Sequence, residues 1–315
     1  MKVSRDILFA LFALVVVLLA GGVFNAGGVF FDPRTHADAL WLISGYGILA
    51  CGMTVVILTG GIDLAVGSVV ALCGVVFAKF VMEHELSGWL AIPAAIGAGA
   101  LAGLASGSLV AFLRLQPFIA TLAMMALARG LAKLYAEGKV VTKYPYPPLI
   151  EALNHRIDVL GFELRYGVLV FVACIALTLV VLRVLRIGRY VYAIGDNEEA
   201  ARLSGVPVRL TKVFVYTLCG AFAGTAGVLF AAAVRQGNPD DGVGYELTAI
   251  AMVVVGGTSL SGGRGGVVLT VLGALTIGYL RKILDLNAVD TPIQLMITGA
   301  ILVLAVMAQG LYRRP

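Results

Sequence analysis

Apolar residues fill this chain in long runs, and the polar ones gather in the gaps. Residues 7–31, 39–62, 86–113, 213–234 and 291–312 carry no charge. Each reaches the roughly 20 residues that a helix needs to cross hydrocarbon. Runs at 64–78, 166–182, 247–263 and 265–280 are shorter, and one at 115–128 spans only if Arg129 lies near the interface. The pattern predicts an all-α, polytopic integral membrane protein of about ten transmembrane helices, folded as one transmembrane domain over residues 1–315. Trp41 and Trp89 lie near run ends, where amphipathic aromatics settle at the membrane–water boundary. Gly99, Gly103 and Gly107, with Gly220 and Gly224, recur at the small-xxx-small spacing that lets helices approach closely in lipid.

Two interruptions break the apolar pattern. In Thr59-Gly-Gly-Ile-Asp-Leu-Ala-Val-Gly-Ser68, two glycines and an acid interrupt a greasy stretch that has too few residues before Lys79 for two ideal spans. A broken or re-entrant helix is expected, and irregular backbone at that depth needs surrounding protein or a water-filled cavity. The second is Val255-Gly-Gly-Thr-Ser-Leu-Ser-Gly-Gly-Arg264. Laying Gly60 on Gly256 matches four of eight positions and sets Asp63 opposite Ser259. Both follow a Met-led approach, Met53-Thr-Val-Val and Met252-Val-Val-Val. Paired Gly-interrupted segments point to a transporter's pathway; chance matching of glycines is the alternative. Gly60, Gly61, Asp63, Gly256, Gly257 and Ser259 are the candidates for a path or gate. An acid in apolar surroundings is a functional candidate, but Asp63 could equally cap a helix beginning at Leu64. Arg129 is its nearest basic counterpart in the first half.

The most polar segment lies in mid-chain, at Ile194-Gly-Asp-Asn-Glu-Glu-Ala-Ala-Arg-Leu-Ser-Gly-Val206. It predicts a helix of about two turns, roughly 12 Å long. Asp196 stands as N-cap with Glu199 in the capping-box position, Glu198 and Arg202 are spaced i,i+4, and Gly205 supplies the stop. So short a helix is unstable alone and is expected to dock on something. A capped surface linker between two spans is the plainer reading.

Composition sharpens the class. The chain is 60% hydrophobic and only 13% charged, against about 25% charged in a soluble domain. Lys2 and Arg5 resemble the start of a signal peptide, but the run behind them is too long for one and is expected to stay as a span. Lys and Arg divide almost evenly between the two sides of a ten-span topology. The segment 183–212 decides the orientation, because Arg183, Arg186, Arg189, Arg202, Arg209 and Lys212 flank two spans closely. The positive-inside rule sets it, and both termini, in the cytoplasm.

Cys51, Cys73, Cys174 and Cys219 lie inside apolar runs and read as small core residues. His36, His84 and His155 form no ligand cluster. Lys143-Tyr-Pro-Tyr-Pro-Pro148 falls in an external loop, as a docking lip or a stiff linker, and Asp240, Asp241 and Glu246 gather in another. There is no P-loop signature, no intramembrane proton relay and no nucleophile–base set. The sequence shows no energy source within the chain, and nothing in it supports a membrane-embedded enzyme.

Four stretches resemble the permease subunits of bacterial ABC importers of the ribose, xylose and galactofuranose type. They are residues 52–68, Pro117-Phe-Ile-Ala-Thr-Leu122, residues 192–205, and Val254-Val-Gly-Gly-Thr-Ser-Leu-Ser-Gly-Gly263, and they occur in the family's order. The Thr-Gly-Gly-Ile-Asp-Leu pattern is similar to the sugar branch, with a galactofuranose permease as the nearest likeness. The resemblance implies that Asp196, Asn197, Glu198, Glu199, Ala200, Ala201 and Gly205 form a coupling helix seated on a separate ATPase subunit, within a coupling segment at about 183–212. It implies a second permease subunit, identical or homologous, a periplasmic sugar-binding protein, and residence in the bacterial inner membrane. ATP and Mg would be bound by the partner, so the chain itself needs no cofactor, and nothing suggests a nucleic-acid partner. An ABC permease for another small polar solute, an ATP-independent secondary carrier and a membrane-bound enzyme are the rival readings.

Overall fold

The computed structural model describes residues 5–159 and 162–311. Lys2 and the Tyr312 end of the last apolar run lie outside the described residues. Thirteen α-helices, a 3-10 turn at Val29–Phe31 and one hairpin make up the described chain: α1 (Arg5–Val23), α2 (Pro33–Leu58), α3 (Val66–Ala78), α4 (Gly88–Phe112), α5 (Pro117–Tyr135), α6 (Pro148–Asn154), β1 (Arg156–Val159), β2 (Phe162–Arg165), α7 (Tyr166–Leu179), α8 (Arg186–Asp196), α9 (Glu198–Leu203), α10 (Val208–Val234), α11 (Tyr245–Val255), α12 (Val267–Leu286) and α13 (Thr291–Leu311). Single π turns extend α3 through Glu83 and α7 through Val184.

Eight of these helices are long and apolar enough to cross a membrane, with α11 and α13 as shorter apolar helices among the described residues. All ten apolar runs thus become helix. Two details differ from expectation. The run at 115–128 extends as α5 past Arg129 to Tyr135, because Arg129 turns its guanidinium onto a loop: it donates to the carbonyl oxygens of Pro239 and, at 2.6 Å, Asp241. The run at 247–263 yields only eleven helical residues. Helix α11 starts at Tyr245, ahead of the run, but stops at Val255, where Gly257 turns left-handed (φ +105°) and leaves residues 258–263 outside it.

Helix α2 is the axis of the bundle. Its 26 residues span about 39 Å, and nearly all of its second half is fully buried. Glycines let large neighbours meet it: Phe230 closes on Gly45, Phe171 on Gly47 and Cys219 with Phe222 on Gly52. Pro33 opens the helix at N1, and Asp32 caps it by accepting from the Arg34 amide at 2.8 Å. Helices α1 and α13 lie outermost, with Phe9, Phe12, Leu19 and Met296 each more than half exposed. Exposed side chains of this size suit acyl chains, as the hydropathy pattern requires.

The small-residue rows form one zipper between α4 and α10. A Cβ on Gly99 would sit 2.3 Å from the Gly220 carbonyl oxygen, and one on Gly220 would sit 2.1 Å from that of Gly99. Gly103 meets Tyr216 in the same way, and Gly224 meets Ile96. Bare hydrogen at these sites brings the backbones together, and dispersion does the rest in a solvent that offers no hydrophobic drive.

Candidate functional site

The mid-chain segment folds as two helices at one end of the bundle. In α8, Gly188, Val191 and Ile194 turn inward while Arg186 and Arg189 stay exposed. The chain then takes one extended residue, Asn197 (φ −157°), and enters α9. The N-cap is therefore Asn197, whose Oδ1 accepts from the Ala200 amide at 2.9 Å. Asp196 is still the last residue of α8 and so cannot cap the next helix. With the cap moved by one, Glu199 leaves the capping-box position and pairs with Arg202 instead. Glu198 reaches past α9 to Lys212 of α10 at 2.7 Å, in place of the expected partner Arg202.

Gly205 does end the helix, at φ +82°. Its amide bonds to the Arg202 carbonyl and that of Val206 to the Ala201 carbonyl, the paired closure of a Schellman motif. Ala201 points inward against Ile194 and Val208, whereas Glu199, Ala200 and Leu203 face outward.

Both Gly interruptions lie at this same end, and α8 touches them. The Gly263 amide donates to the carbonyl oxygen of Leu58, the last residue of α2, at 3.0 Å. Gly195 of α8 fits into the junction: a Cβ there would lie 1.9 Å from Leu58 O and 2.4 Å from Gly263 N. A Cβ on Gly262 would stand 2.8 Å from Gly60 N and 2.9 Å from Gly195 Cα. Tyr192 adds a 3.0 Å hydrogen bond from its hydroxyl to the Gly265 carbonyl. Three stretches distant in sequence thus meet backbone to backbone.

The two interruptions share a geometry, though at a different register from the one sequence matching suggests. Gly60 (φ +76°) and Gly257 (φ +105°) are the left-handed residues that end α2 and α11. The Gly60 amide bonds to Ile57 O and the Gly61 amide to Val56 O; the Gly257 amide bonds to Val254 O and the Thr258 amide to Val253 O. Each end is again a Schellman closure, so Gly60 corresponds to Gly257 and not to Gly256. Asp63 then falls opposite Leu260 and not opposite Ser259. Gly256 is tight for another reason: a Cβ there would lie 2.1 Å from the Leu269 carbonyl oxygen.

Asp63 is buried, at 3% exposure. Its Oδ1 accepts from the Ala65 amide at 2.9 Å, and the Cys219 thiol bonds to its carboxylate. It therefore shapes the turn into α3, which begins at Val66 and not at Leu64. Arg129 is bound to the 239–241 loop and is not its counter-ion. Close by, the Tyr216 hydroxyl is buried without a hydrogen-bond partner among the described residues, and a Cβ on Gly61 would lie 2.5 Å from it. Ser259 is also buried; its amide donates to Arg264 O at 2.9 Å and its hydroxyl lies 3.1 Å from that of Ser261.

Tyr192, Gly195, Gly262 and Gly263 carry the junction without having been singled out from sequence. Gly195 offered a signal. A glycine inside a helix costs about 1 kcal/mol relative to alanine, which a close backbone approach explains.

The fold defines a multi-pass membrane protein. The chain belongs to the family described as branched-chain amino acid transport system / permease component, which matches residues 36–306. It is 39% identical over 315 residues to the ribose import permease protein RbsC of Escherichia coli K12, covering 96% of this chain and 92% of that protein. The fructose import permease protein FrcC of Rhizobium meliloti is 33% identical, over 94% of this chain and 83% of its own length. The L-arabinose transport system permease protein AraH of Escherichia coli K12 is 36% identical, over 84% and 79%. No solved structure matches the chain. The resemblance drawn from the four sequence stretches is borne out at the level of the import permease.

Proposed function

We propose that the chain is the membrane-spanning subunit of an ATP-binding-cassette importer for a monosaccharide, delivered by a periplasmic binding protein and driven by separate ATPase subunits. The junction at Gly195 carries the reading. A short helix with an outward face of Glu199, Ala200 and Leu203 is bound, through α8, to the end of α2 and to the Gly262–Gly265 stretch that follows α11. A push on α9 reaches the Gly-capped end of α2 and the glycine loop beyond α11 through α8. That is the layout needed where a motor on one chain moves helices of another. Asp196, Asn197, Glu198, Glu199, Ala200, Ala201 and Gly205 would then form the coupling element within 183–212, with Ala201 as its inner foot. Gly60, Gly61, Asp63, Gly256, Gly257 and Ser259 would serve the gate.

Names of the relatives support a sugar as cargo, and ribose, fructose and arabinose are all monosaccharides. The narrower reading is a galactofuranose-like sugar, carried through a pair of permease subunits. On this reading α9 and both termini face the cytoplasm of a bacterial inner membrane, ATP and Mg sit on the partner ATPase, and residues 1–315 act as one permease domain.

The test is ATP-dependent uptake in proteoliposomes holding the permease, its ATPase and its binding protein. Leu203→Asp and Ala200→Asp change exposed residues and should leave folding intact while cutting uptake at least tenfold. Uptake by the permease alone without ATP would defeat the reading, as would full activity in both variants. A panel of pentoses and galactofuranose, scored by stimulation of ATP hydrolysis, decides the sugar.

A further inference from the structure

Between the start of α10, the α4–α5 turn and α9 lies a cavity of about 350 Å³. Arg114, Gln116, Glu198, Arg202, Arg209 and Lys212 line it, so four cations face one acid. Lys212 spends its charge on Glu198 and Arg202 on Glu199. Arg114 and Arg209 have no acidic partner among the described residues. Two neighbouring cations left open in this way hold an excess of positive potential at the mouth of a cavity.

The surroundings of the cavity are those of a membrane boundary. Phe112 and Leu113 at the end of α4, Phe118 and Ile119 at the start of α5, and Leu210 beside Arg209 are each more than half exposed. A ligand that used both features would be anionic at one end and apolar at the other. The volume is at the low end for small-molecule sites, which run from about 300 to 1,000 Å³, and suits a headgroup better than a whole lipid. Helices α5 and α10 also begin at this cavity, at Pro117 and Val208, and neither has a side-chain cap on its first amides. Their dipoles add to the attraction of an anion that the arginines set up.

We infer that this cavity binds the phosphate-bearing headgroup of an anionic phospholipid, with the acyl chains lying along Phe112, Phe118 and Leu210. Basic pockets between transmembrane helices near the membrane surface take such headgroups on electrostatic grounds. Arg114 and Arg209 contact the phosphate, and the Glu198–Lys212 pair forms the wall towards α9. The site thereby ties the lipid to the outer side of the helix read above as the coupling element. Its occupancy does not depend on which partner seats on α9.

The experiment uses the whole chain in nanodiscs of phosphatidylcholine with increasing phosphatidylglycerol. Native mass spectrometry reads retained lipid, and melting reads stability. Wild type should retain phosphatidylglycerol selectively and melt higher as its fraction rises. Arg114→Gln with Arg209→Gln should weaken retention roughly thirtyfold, at about fivefold per lost cation. Arg186→Gln with Arg189→Gln, exposed cations outside the cavity, should leave retention unchanged.

Equal loss in both double variants would mean general surface charge and would overturn the site. So would retention of phosphatidylcholine equal to that of phosphatidylglycerol. Inorganic phosphate that raises the melting point as far as the lipid does would make it a free-anion site instead. Unchanged lipid retention with loss of the co-purifying ATPase would assign the two arginines to a protein contact. Failure of wild type to hold any ATPase would count against the transport reading alone and leave lipid retention as it stands.

Discussion

Gly195 has no room for a side chain against Leu58: a Cβ would come within 1.9 Å of the Leu58 carbonyl oxygen. That oxygen already accepts the Gly263 amide at 3.0 Å, so neither partner can retreat without breaking the link between the two interruptions.

Alanine at this position tests the junction. Helix propensity favours Gly195→Ala by about 1 kcal/mol, whereas overpacking against backbone costs about 1–3 kcal/mol. The clash should win. Gly195→Ala is expected to melt lower and to lose uptake by tenfold or more at equal membrane abundance. Gly130→Ala is the control, since a Cβ there meets nothing within 4 Å. It should be neutral or more stable by up to about 1 kcal/mol. Parent-like uptake in Gly195→Ala would show that α8 slides freely on α2.

The α4–α10 zipper should outweigh any single polar contact in the bundle. Thr54 and Thr270 share a buried 2.6 Å hydrogen bond between α2 and α12. Such bonds in membranes average only about 0.6 kcal/mol, so Thr54→Val should shift melting slightly. Gly220→Leu forces backbone apart where 2.1 Å is available, and should abolish stable expression. Fluorescence-detected size-exclusion profiles over a temperature series separate the two outcomes, and the reverse order would refute the packing argument.

Glu198 and Lys212 form the only ion pair described between α9 and α10, at 2.7 Å. Ion pairs that keep one partner in solvent contribute roughly 0–1 kcal/mol, and here Glu198 is half exposed while Lys212 is largely covered. Lys212→Gln should therefore leave melting within about 1 kcal/mol of wild type. If α9 transmits force into α10 through this pair, uptake falls severalfold and the reversed pair, Glu198→Lys with Lys212→Glu, recovers part of it. Measuring a double-mutant cycle on uptake rate decides the point, and strict additivity would remove the pair from the mechanism.

At the opposite end, two loops are tied by exposed acids. Lys133, 2.7 Å from Asp240, holds that carboxyl below its ordinary range, and Lys143 does the same for Glu85. A depressed carboxylate contributes stability above its unfolded pKa, near 4, and loses it as pH falls through the lower folded value. Hydrogen exchange in 235–244, corrected for intrinsic rate, should thus rise below about pH 4 and at high salt. Asp240→Asn should raise exchange at pH 7 and flatten the profile. A profile unchanged by that substitution would mean that Arg129 holds the loop unaided.

Sequence by itself determined the class and the places where helices break. Runs without charge became helices because the chain has no other way to satisfy backbone in hydrocarbon. Gly60, Gly205 and the small-residue rows announced turns and close approaches, because only glycine tolerates left-handed φ and backbone contact at low cost. Such signals are local, and so they survive in one dimension. The cap at Asn197, the salt bridge from Glu198 to Lys212 and the correspondence of Gly60 with Gly257 depended on where one helix stopped, to within a single residue. Side-chain reach and backbone angles decide that, and hydropathy does not. Only the tertiary structure brought Gly195, Leu58 and Gly263 together, and only it turned Arg129 away from Asp63 towards the 239–241 loop. Contacts between segments distant in sequence follow from how helices pack, and packing is a property of surfaces that no single run contains.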